Sequence, residues 1–186
     1  MGQMGDMTRT AVVVVDMLNP YDHDDADLLQ RSVREVVRPL AGLVRQAWER
    51  EDVELIFVND NHGDFSATRE QLQHRALNGR FPQLVAPVPP PLDCAFMAKV
   101  RHSAFYGTPL EYLLRSHGVD VVVLAGQVTE QCVLYSALDA YVREFSVRVA
   151  RDCVAHIHAD LAEAALRLME RNIRAELLHA AHCLNH

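Results

Sequence analysis

The sequence lacks an apolar run of the roughly 18 residues needed to span a bilayer, so no membrane partner is predicted. Basic residues are also in the minority, since 18 Lys and Arg are set against 25 Asp and Glu and the net charge is −7 with His neutral. A surface that neutralises phosphates needs clustered Lys and Arg. We therefore expect no nucleic-acid partner either.

Cysteine is scarce, and no two cysteines form a CxxC pair: the four are Cys94, Cys132, Cys153 and Cys183. The N-terminal residues contain no apolar segment typical of a secretion signal. These features predict free thiols in a reducing compartment and a cytoplasmic localisation.

The chain is long enough for one substantial core, with 186 residues of which 49% are hydrophobic. The polar start of the sequence contrasts with the apolar run that begins at Thr10. We predict a flexible leader over residues 1–9 and a single domain over residues 10–186.

Short apolar runs alternate with helical patterns. The predicted strands cover residues 10–15, 53–59, 95–100, 119–125, 146–150 and 174–179. Between most of them, apolar residues recur at three- and four-residue steps, as in helices with one buried face. This alternation predicts an α/β fold: a doubly wound, mainly parallel six-stranded sheet with helices on both faces, a Rossmann-like three-layer sandwich.

Two helices carry more detailed predictions. In the first, Ser32 and Glu35 fit a capping box, and Pro39 predicts either a kink or a main helix that begins beside it. In the last, over residues 159–172, Leu161 and Leu168 are among the residues predicted to face the core.

A cysteine follows the fourth predicted strand after a polar turn. Cys132 lies in the first turn of the predicted next helix, with Thr129 as its N-cap. The positive end of the helix dipole lowers the pKa of a thiol, and unpaired N–H groups there can stabilise an oxyanion. We interpret Cys132 as a catalytic nucleophile.

Two charged residues end other predicted strands. Asp16 follows the first strand and Lys99 closes the third, and open α/β sheets place their sites at such strand ends. The alternatives are that Asp16 only caps a turn and that Lys99 is an exposed residue at a strand end. Together with Cys132 they form a coherent set, in which Asp16 takes the thiol proton and Lys99 holds Asp16. A Cys–His dyad with His62 or His102 is the alternative.

The loop after the second strand contains potential metal ligands. Asp60 and His62 are spaced like ligands, and His74 is a possible third. The alternative is a hydrogen-bonded loop. We predict no metal and no cofactor, with these three residues as the candidates if a divalent ion binds.

Three segments contain these candidate residues: VVVVDMLNPY contains Asp16, AKVRHSAFYGTPLEYLL contains Lys99, and LAGQVTEQCVLYSALDAY contains Cys132. In that order they resemble the strand–Asp motif, the Lys segment with its Ser-Ala-Phe-x-Gly-Thr loop, and the nucleophile segment of the isochorismatase-like cysteine hydrolases. This superfamily includes nicotinamidases and N-carbamoylsarcosine amidohydrolase. The segments occur in the family's order, and the resemblance runs from about residue 11 to residue 180.

The resemblance implies an Asp16–Lys99–Cys132 triad. It also implies a cis peptide bond between Gln127 and Val128, which turns the Val128 N–H toward the oxyanion. We further assign a group of nearby residues to substrate binding: Asn19, Phe105, Tyr106 and Thr129.

The resemblance also implies a reaction class. Isochorismatases that cleave a vinyl ether lack the cysteine, so Cys132 favours hydrolysis of a C–N bond in a small amide, ureido or carbamoyl compound through a thioester. The alternatives are a metal-assisted nicotinamidase and a non-catalytic binding or redox-sensing module on the same fold. The segment NDNHGDF is closer to that of a metal-free branch, with His62 in place of a phenylalanine. The expected partners are a small-molecule substrate and further copies of the chain, as a dimer or tetramer.

Overall fold

The computed structural model describes residues 8–185. Residues 1–7, which form most of the predicted leader, and residue 186 lie outside the described part. The first strand begins at Arg9, one residue before the start predicted at Thr10, and the division into a leader and a domain stays a prediction.

The strands in chain order are β1 Arg9–Val15, β2 Val53–Asp60, β3 Ala95–Lys99, β4 Val119–Gln127, β5 Ser146–Ala155 and β6 Glu176–Leu178. In the described residues they form one sheet of order β3-β2-β1-β4-β5-β6, and each neighbouring pair is parallel. The prediction of a doubly wound parallel sheet is confirmed.

The α-helices are α1 Ala26–Trp48, α2 Arg69–Leu77, α3 Pro82–Val85, α4 Leu110–Ser116, α5 Leu134–Val142 and α6 Ala159–Ile173. A π-helical segment, Thr129–Val133, precedes α5, and a short 3₁₀ turn, Ala180–His182, follows β6. None of the helices in residues 8–185 is both long and apolar enough to cross a membrane.

The helices form two layers, one on each face of the sheet, and β1 is therefore buried on both faces. Val12 and Val14 pack in the cluster that contains the inner faces of α1, α2 and α3. Val13 and Val15 point the other way, into the cluster that contains α4, α5 and α6. An all-apolar β-branched run is what a central parallel strand covered on both sides requires.

Two strands run further than their apolar residues predict. β4 extends to Gln127 and β5 to Ala155. The pairing of β4 with β5 is interrupted, passing from Leu124 opposite Val149 to Gly126 opposite Val154. Arg151 and Asp152 interrupt the apolar pattern of β5, so the sequence does not indicate that the strand continues beyond them.

The capping-box prediction for α1 is wrong. α1 begins at Ala26, so Ser32 lies inside the helix and its hydroxyl accepts a hydrogen bond from the His156 N–H at 3.0 Å. Pro39 lies within the same helix. Buried Val36 and Leu40 continue the apolar stripe across the proline, and this packing outweighs the local preference.

The predicted inner face of α6 is also partly wrong. Leu161 and Leu168 are half-exposed, whereas Ala162, Ala165 and Met169 are buried. Small side chains let the helix approach its neighbours closely, so the buried stripe is centred on the alanines rather than on the leucines.

Candidate active site

A crevice opens where the chain leaves β1 and β4 toward opposite faces of the sheet. These strands are neighbours at the centre of the sheet, and such a switch point is where doubly wound folds place ligands. A cavity of about 240 Å³ lies there. Its lining consists of Asp16, Asn19, His23, Asp25, Leu29, Asp60, His62, His102, Gln127, Val128, Gln131, Cys132 and Ile157.

The Asp16 carboxylate is held by two other strands. Its Oδ1 accepts a hydrogen bond from the Asp60 N–H at 2.7 Å, and its Oδ2 lies 2.8 Å from Lys99 Nζ. Asp16 itself has a φ of 55°, a left-handed conformation that Asp tolerates better than most residues. These contacts identify Asp16 as part of a charged cluster rather than as a simple turn cap.

Lys99 is the buried centre of this cluster. Its side chain has no exposed surface, and its ammonium lies 3.6 Å from Asp60 Oδ2 in addition to the contact with Asp16. It also donates to the Arg101 carbonyl at 3.1 Å and lies 3.6 Å from Cys132 Sγ. The alternative of an exposed strand-end lysine is therefore wrong.

Burial and charge determine the protonation of the three groups. Burial raises the pKa of the Asp16 carboxyl, against the opposing charge of Lys99. Burial alone would lower the pKa of Lys99, but the charges of Asp16, Cys132 and Asp60 raise it overall. Lys99 therefore keeps its proton at neutral pH.

The pKa of the Cys132 thiol shifts in the direction opposite to the one expected from the sequence. Burial and then the negative charge of Asp16 raise the pKa of Cys132 to about 12, although Lys99 and a backbone hydrogen bond from Val128 oppose this. The predicted lowering of the pKa by the helix dipole is wrong. At rest Cys132 is a thiol beside a carboxylate that can take its proton.

The segment before the thiol has an unusual backbone. The peptide bond between Gln127 and Val128 is cis. The Val128 carbonyl accepts from the Val133 N–H at 3.1 Å, which gives the following turn its π-helical pattern. The Gln127 side chain donates to the Asp16 carbonyl at 2.5 Å. Backbone and side-chain contacts thus connect the thiol segment to the end of β1.

Gly126 allows this part of β4 to lie against β1. Its φ is +110°, and a Cβ at this position would collide with the Val15 carbonyl oxygen and lie 2.7 Å from the Val15 nitrogen. No residue with a side chain fits this approach, which brings the end of β4 beside the end of β1.

His102 is a further neighbour of the thiol. Its Nδ1 lies 3.7 Å from Cys132 Sγ, and its ring stacks on Tyr135 at a centroid distance of 5.4 Å. Ser136 connects this loop to α5, because its hydroxyl accepts from the Ala104 N–H at 2.9 Å and donates to the Cys132 carbonyl at 2.6 Å. The Cys–His alternative therefore has a geometric basis.

The residues assigned to substrate binding are not all at the cavity. Asn19 lines it, with its Oδ1 accepting from the Tyr21 N–H at 2.7 Å. Phe105 is instead buried against Phe145, with ring centroids 6.2 Å apart. Phe105 therefore lies in the core and not in the cavity lining, and its assignment to substrate binding stays a prediction.

Tyr106 and Thr129 also lie outside the cavity lining. Tyr106 is largely exposed. Thr129 is buried, with its hydroxyl donating to the Ala155 carbonyl at 2.9 Å, and it borders a separate groove between α1 and α6. It does not cap the helical segment, because that segment begins at Thr129 itself and Val128 occupies the N-cap position, with no side-chain cap hydrogen bond. The assignment of these two residues to substrate binding stays a prediction.

The three candidate metal ligands do not converge. Asp60 and His62 line the cavity, but His74 lies on α2 beside a different pocket. Asp60 Oδ1 accepts from the His62 N–H at 2.7 Å, and His62 Nε2 lies 3.3 Å from the Leu18 carbonyl. Within residues 8–185, no group of three or more His, Cys, Asp or Glu is arranged to hold a metal ion. Asp60, His62 and His74 therefore do not form a metal site together.

Several lining residues were not assigned from the sequence. Gln131 could have been found from its position beside Cys132. His23, Asp25, Leu29 and Ile157 carry no such signal, because the segments after β1 and β5 bring them to the cavity only in the folded molecule.

A family model described as the isochorismatase domain matches residues 10–181. The chain belongs to the isochorismatase family. It is 32% identical to the uncharacterised isochorismatase family protein YaaI of Bacillus subtilis, over 90% of this chain and 92% of that protein. It is 30% identical to the maleamate amidohydrolase of Pseudomonas putida, over 85% of this chain and 78% of that enzyme.

Solved structures of this family have the same fold. The nicotinamidase of Bacillus subtilis superimposes with a TM-score of 0.72 and 26% identity, covering 92% of this chain and all of that one. The family match and the amidohydrolases among its relatives show that this member of the isochorismatase family is a hydrolase.

Proposed function

We propose that this isochorismatase-family hydrolase cleaves a C–N bond in a small amide, ureido or carbamoyl compound through a thioester on Cys132. The observation that supports the proposal is one contact cluster inside a cavity. Lys99 Nζ lies 2.8 Å from the Asp16 carboxylate and 3.6 Å from Cys132 Sγ, and both Asp16 and Cys132 line the cavity. A nucleophile, a base and a fixed positive charge are the groups that such chemistry requires.

In the first half-reaction, the thiol proton passes to Asp16 as Sγ forms a bond to the substrate carbonyl carbon. The carbonyl electron pair moves onto oxygen. When the tetrahedral intermediate collapses, the C–N bond breaks and the leaving nitrogen takes the proton from Asp16. The raised pKa of Asp16, caused by burial, makes this carboxylate a stronger base than an exposed one. Water then hydrolyses the thioester.

The oxyanion needs donors near the thiol. Val128 lines the cavity and its backbone hydrogen-bonds to Cys132. We assign the N–H groups of Val128 and Cys132 as the donors that stabilise the negative oxygen. Lys99 adds a positive charge close to the same place.

The cavity suits a small polar substrate. Its volume of about 240 Å³ restricts the size of the ligand, and Asn19, Gln127 and Gln131 offer amide groups that can hydrogen-bond to an amide. Relatives whose names state an activity act on such compounds, as the maleamate amidohydrolase of Pseudomonas putida does. This supports an amide-type substrate for the present chain.

The test is a hydrolysis screen over small amides that includes maleamate, nicotinamide and N-carbamoyl compounds. Ammonia or amine release is measured for the wild type and for Cys132→Ala, Asp16→Asn and Lys99→Met. We expect turnover by the wild type and a loss of at least about 10³-fold in each variant. Cys94→Ala is the matched control, because this buried thiol does not line the cavity.

Two results would contradict the proposal. Turnover retained by Cys132→Ala would exclude the thioester, and a wild type inactive on every compound would favour the binding or redox-sensing alternative. Repeating the screen with a chelator addresses the metal-assisted nicotinamidase. Loss of nicotinamide hydrolysis on chelation, restored by a divalent ion, would support that alternative.

A further inference from the structure

We propose that His102 is a catalytic residue for hydrolysis of the thioester, taking a proton from the attacking water and delivering it to Cys132 Sγ. This rests on the proposed thioester chemistry and concerns its second half-reaction. The contact behind it is the 3.7 Å distance from His102 Nδ1 to Sγ, inside the cavity that both residues line.

The sulfur has neighbours in two different environments. Lys99 is fully buried, and the Asp16 carboxylate is largely buried with Oδ1 bonded to the Asp60 N–H and Oδ2 to Lys99. His102 is exposed. We therefore place the attacking water on the exposed side of the sulfur, where the imidazole is the nearer base and the carboxylate is largely buried.

The fold holds the imidazole in this position. Its ring stacks on Tyr135 with an interplanar angle of 17°, and Tyr135 lies one turn beyond Cys132 on the same side of the helical segment. The hydrogen bonds of Ser136 to Ala104 and to Cys132 join the His102 loop to that same turn. The thiol and the imidazole are thus anchored to one element, which keeps their separation constant.

The proton balance is complete with His102 in this role. With its ring proton on Nε2, the imidazole accepts the water proton at Nδ1 while the water oxygen bonds to the thioester carbon. The tetrahedral intermediate then collapses, the C–S bond breaks, and the Nδ1 proton passes to the departing sulfur. The acid leaves and the thiol is restored, while Asp16 keeps its role in the first half-reaction.

The test uses 4-nitrophenyl acetate, whose acyl transfer to a thiol releases a coloured product without requiring the natural substrate. In the wild type we expect sustained release. In His102→Gln we expect a rapid burst of about one nitrophenolate per protein, then turnover slowed by on the order of 10²-fold. Mass spectrometry of the variant should find the acetyl group on Cys132. A burst with unchanged turnover, or burst and turnover lost together, would overturn the role in deacylation.

Two further variants separate catalysis from folding and positioning. His182→Gln, at an exposed histidine outside the cavity, should behave as the wild type. His102→Ala should regain fast turnover when imidazole is added to the buffer, which a purely structural role does not predict. Absence of rescue in the folded variant would count against proton transfer by His102.

Nitrophenolate release by Cys132→Ala and by His102→Gln separates the role of His102 from the thioester itself. If Cys132→Ala releases nitrophenolate as fast as the wild type, the thioester itself is excluded. If Cys132→Ala is inactive but His102→Gln turns over normally, the nucleophile stands and only the role of His102 is overturned.

Discussion

At the residue scale, the candidate site depends on a carboxylate that acts on the thiol in two opposite ways. In the proposed mechanism, Asp16 accepts the proton of Cys132, which promotes attack by the sulfur. Its negative charge also raises the pKa of Cys132, which disfavours a thiolate in the resting protein. A change at Asp16 should therefore affect amide hydrolysis and the reactivity of the resting thiol in opposite directions.

This separation gives a prediction for Asp16→Asn. Removing the negative charge removes one of the causes that raise the pKa of Cys132, whereas Lys99 remains and lowers it. The pKa of the thiol should fall, and the thiolate fraction below that pKa rises about tenfold for each unit. We expect iodoacetamide to alkylate Cys132 faster in the variant than in the wild type at pH 8, while amide hydrolysis is lost.

The measurement is the pH dependence of alkylation, followed by peptide mass spectrometry. In the wild type the rate at Cys132 should still be rising at pH 10, because the pKa of about 12 lies above it. In Asp16→Asn the profile should shift toward lower pH. An unshifted profile would show that the charge of Asp16 does not control the thiol.

At the element scale, the decisive contact is between β1 and β4. The two strands pair along their length, from Thr10 opposite Val121 to Val15 opposite Gly126, and they deliver Asp16 and the Cys132 segment to one crevice. Their approach at the carboxyl end requires the absence of a side chain at Gly126. The geometry of the site and the stability of the sheet are therefore coupled at this position.

Gly126→Ala should destabilise the protein strongly. The added Cβ collides with backbone atoms of Val15, and the positive φ is unfavourable for alanine. We expect the free energy of unfolding to fall by about 3 kcal/mol or more in urea titrations.

Gly42→Ala in α1 is the matched control for this prediction. A Cβ there meets no atom within 4 Å, and alanine favours a helix by roughly 0.5–1 kcal/mol over glycine. The control should therefore gain stability. Equal effects of the two substitutions would argue against the close approach of β1 and β4.

At the scale of the whole molecule, the expected dimer or tetramer stays a prediction. α5 presents Leu138 and Val142, four residues apart and therefore on one face of the helix, and Leu138 is 48% exposed. Apolar residues grouped on one exposed helix face are common where copies of a chain associate. We predict that copies meet through this face of α5.

Sedimentation equilibrium tests the association. Leu138→Glu should shift the mass toward that of the monomer. Leu28→Glu is the matched control, because Leu28 on α1 is 42% exposed but lies in the other helix layer, and it should leave the mass unchanged. A wild type that is monomeric at micromolar concentration would contradict the prediction.

The sequence determined the fold class and the members of the charged cluster. β-branched runs such as Thr10–Val15 specify buried parallel strands by composition alone, and the alternation with helical patterns leaves few other topologies. Asp16 and Lys99 were candidates because they lie at the ends of apolar strands, where open α/β sheets place their sites, and the resemblance to the family motifs joined them to Cys132. Cys132 was identifiable because it follows a strand and a polar turn.

The protonation of the thiol and the neighbours of the site depend on contacts that form only in the folded chain. The local pattern predicts a lowered pKa for Cys132, but burial and the charge of Asp16 act through space and reverse it. The same applies to Phe105, which packs on Phe145, and to His102, which reaches Sγ. Burial and electrostatic energy depend on distances between residues far apart in the chain, and those distances exist only once the sheet has formed.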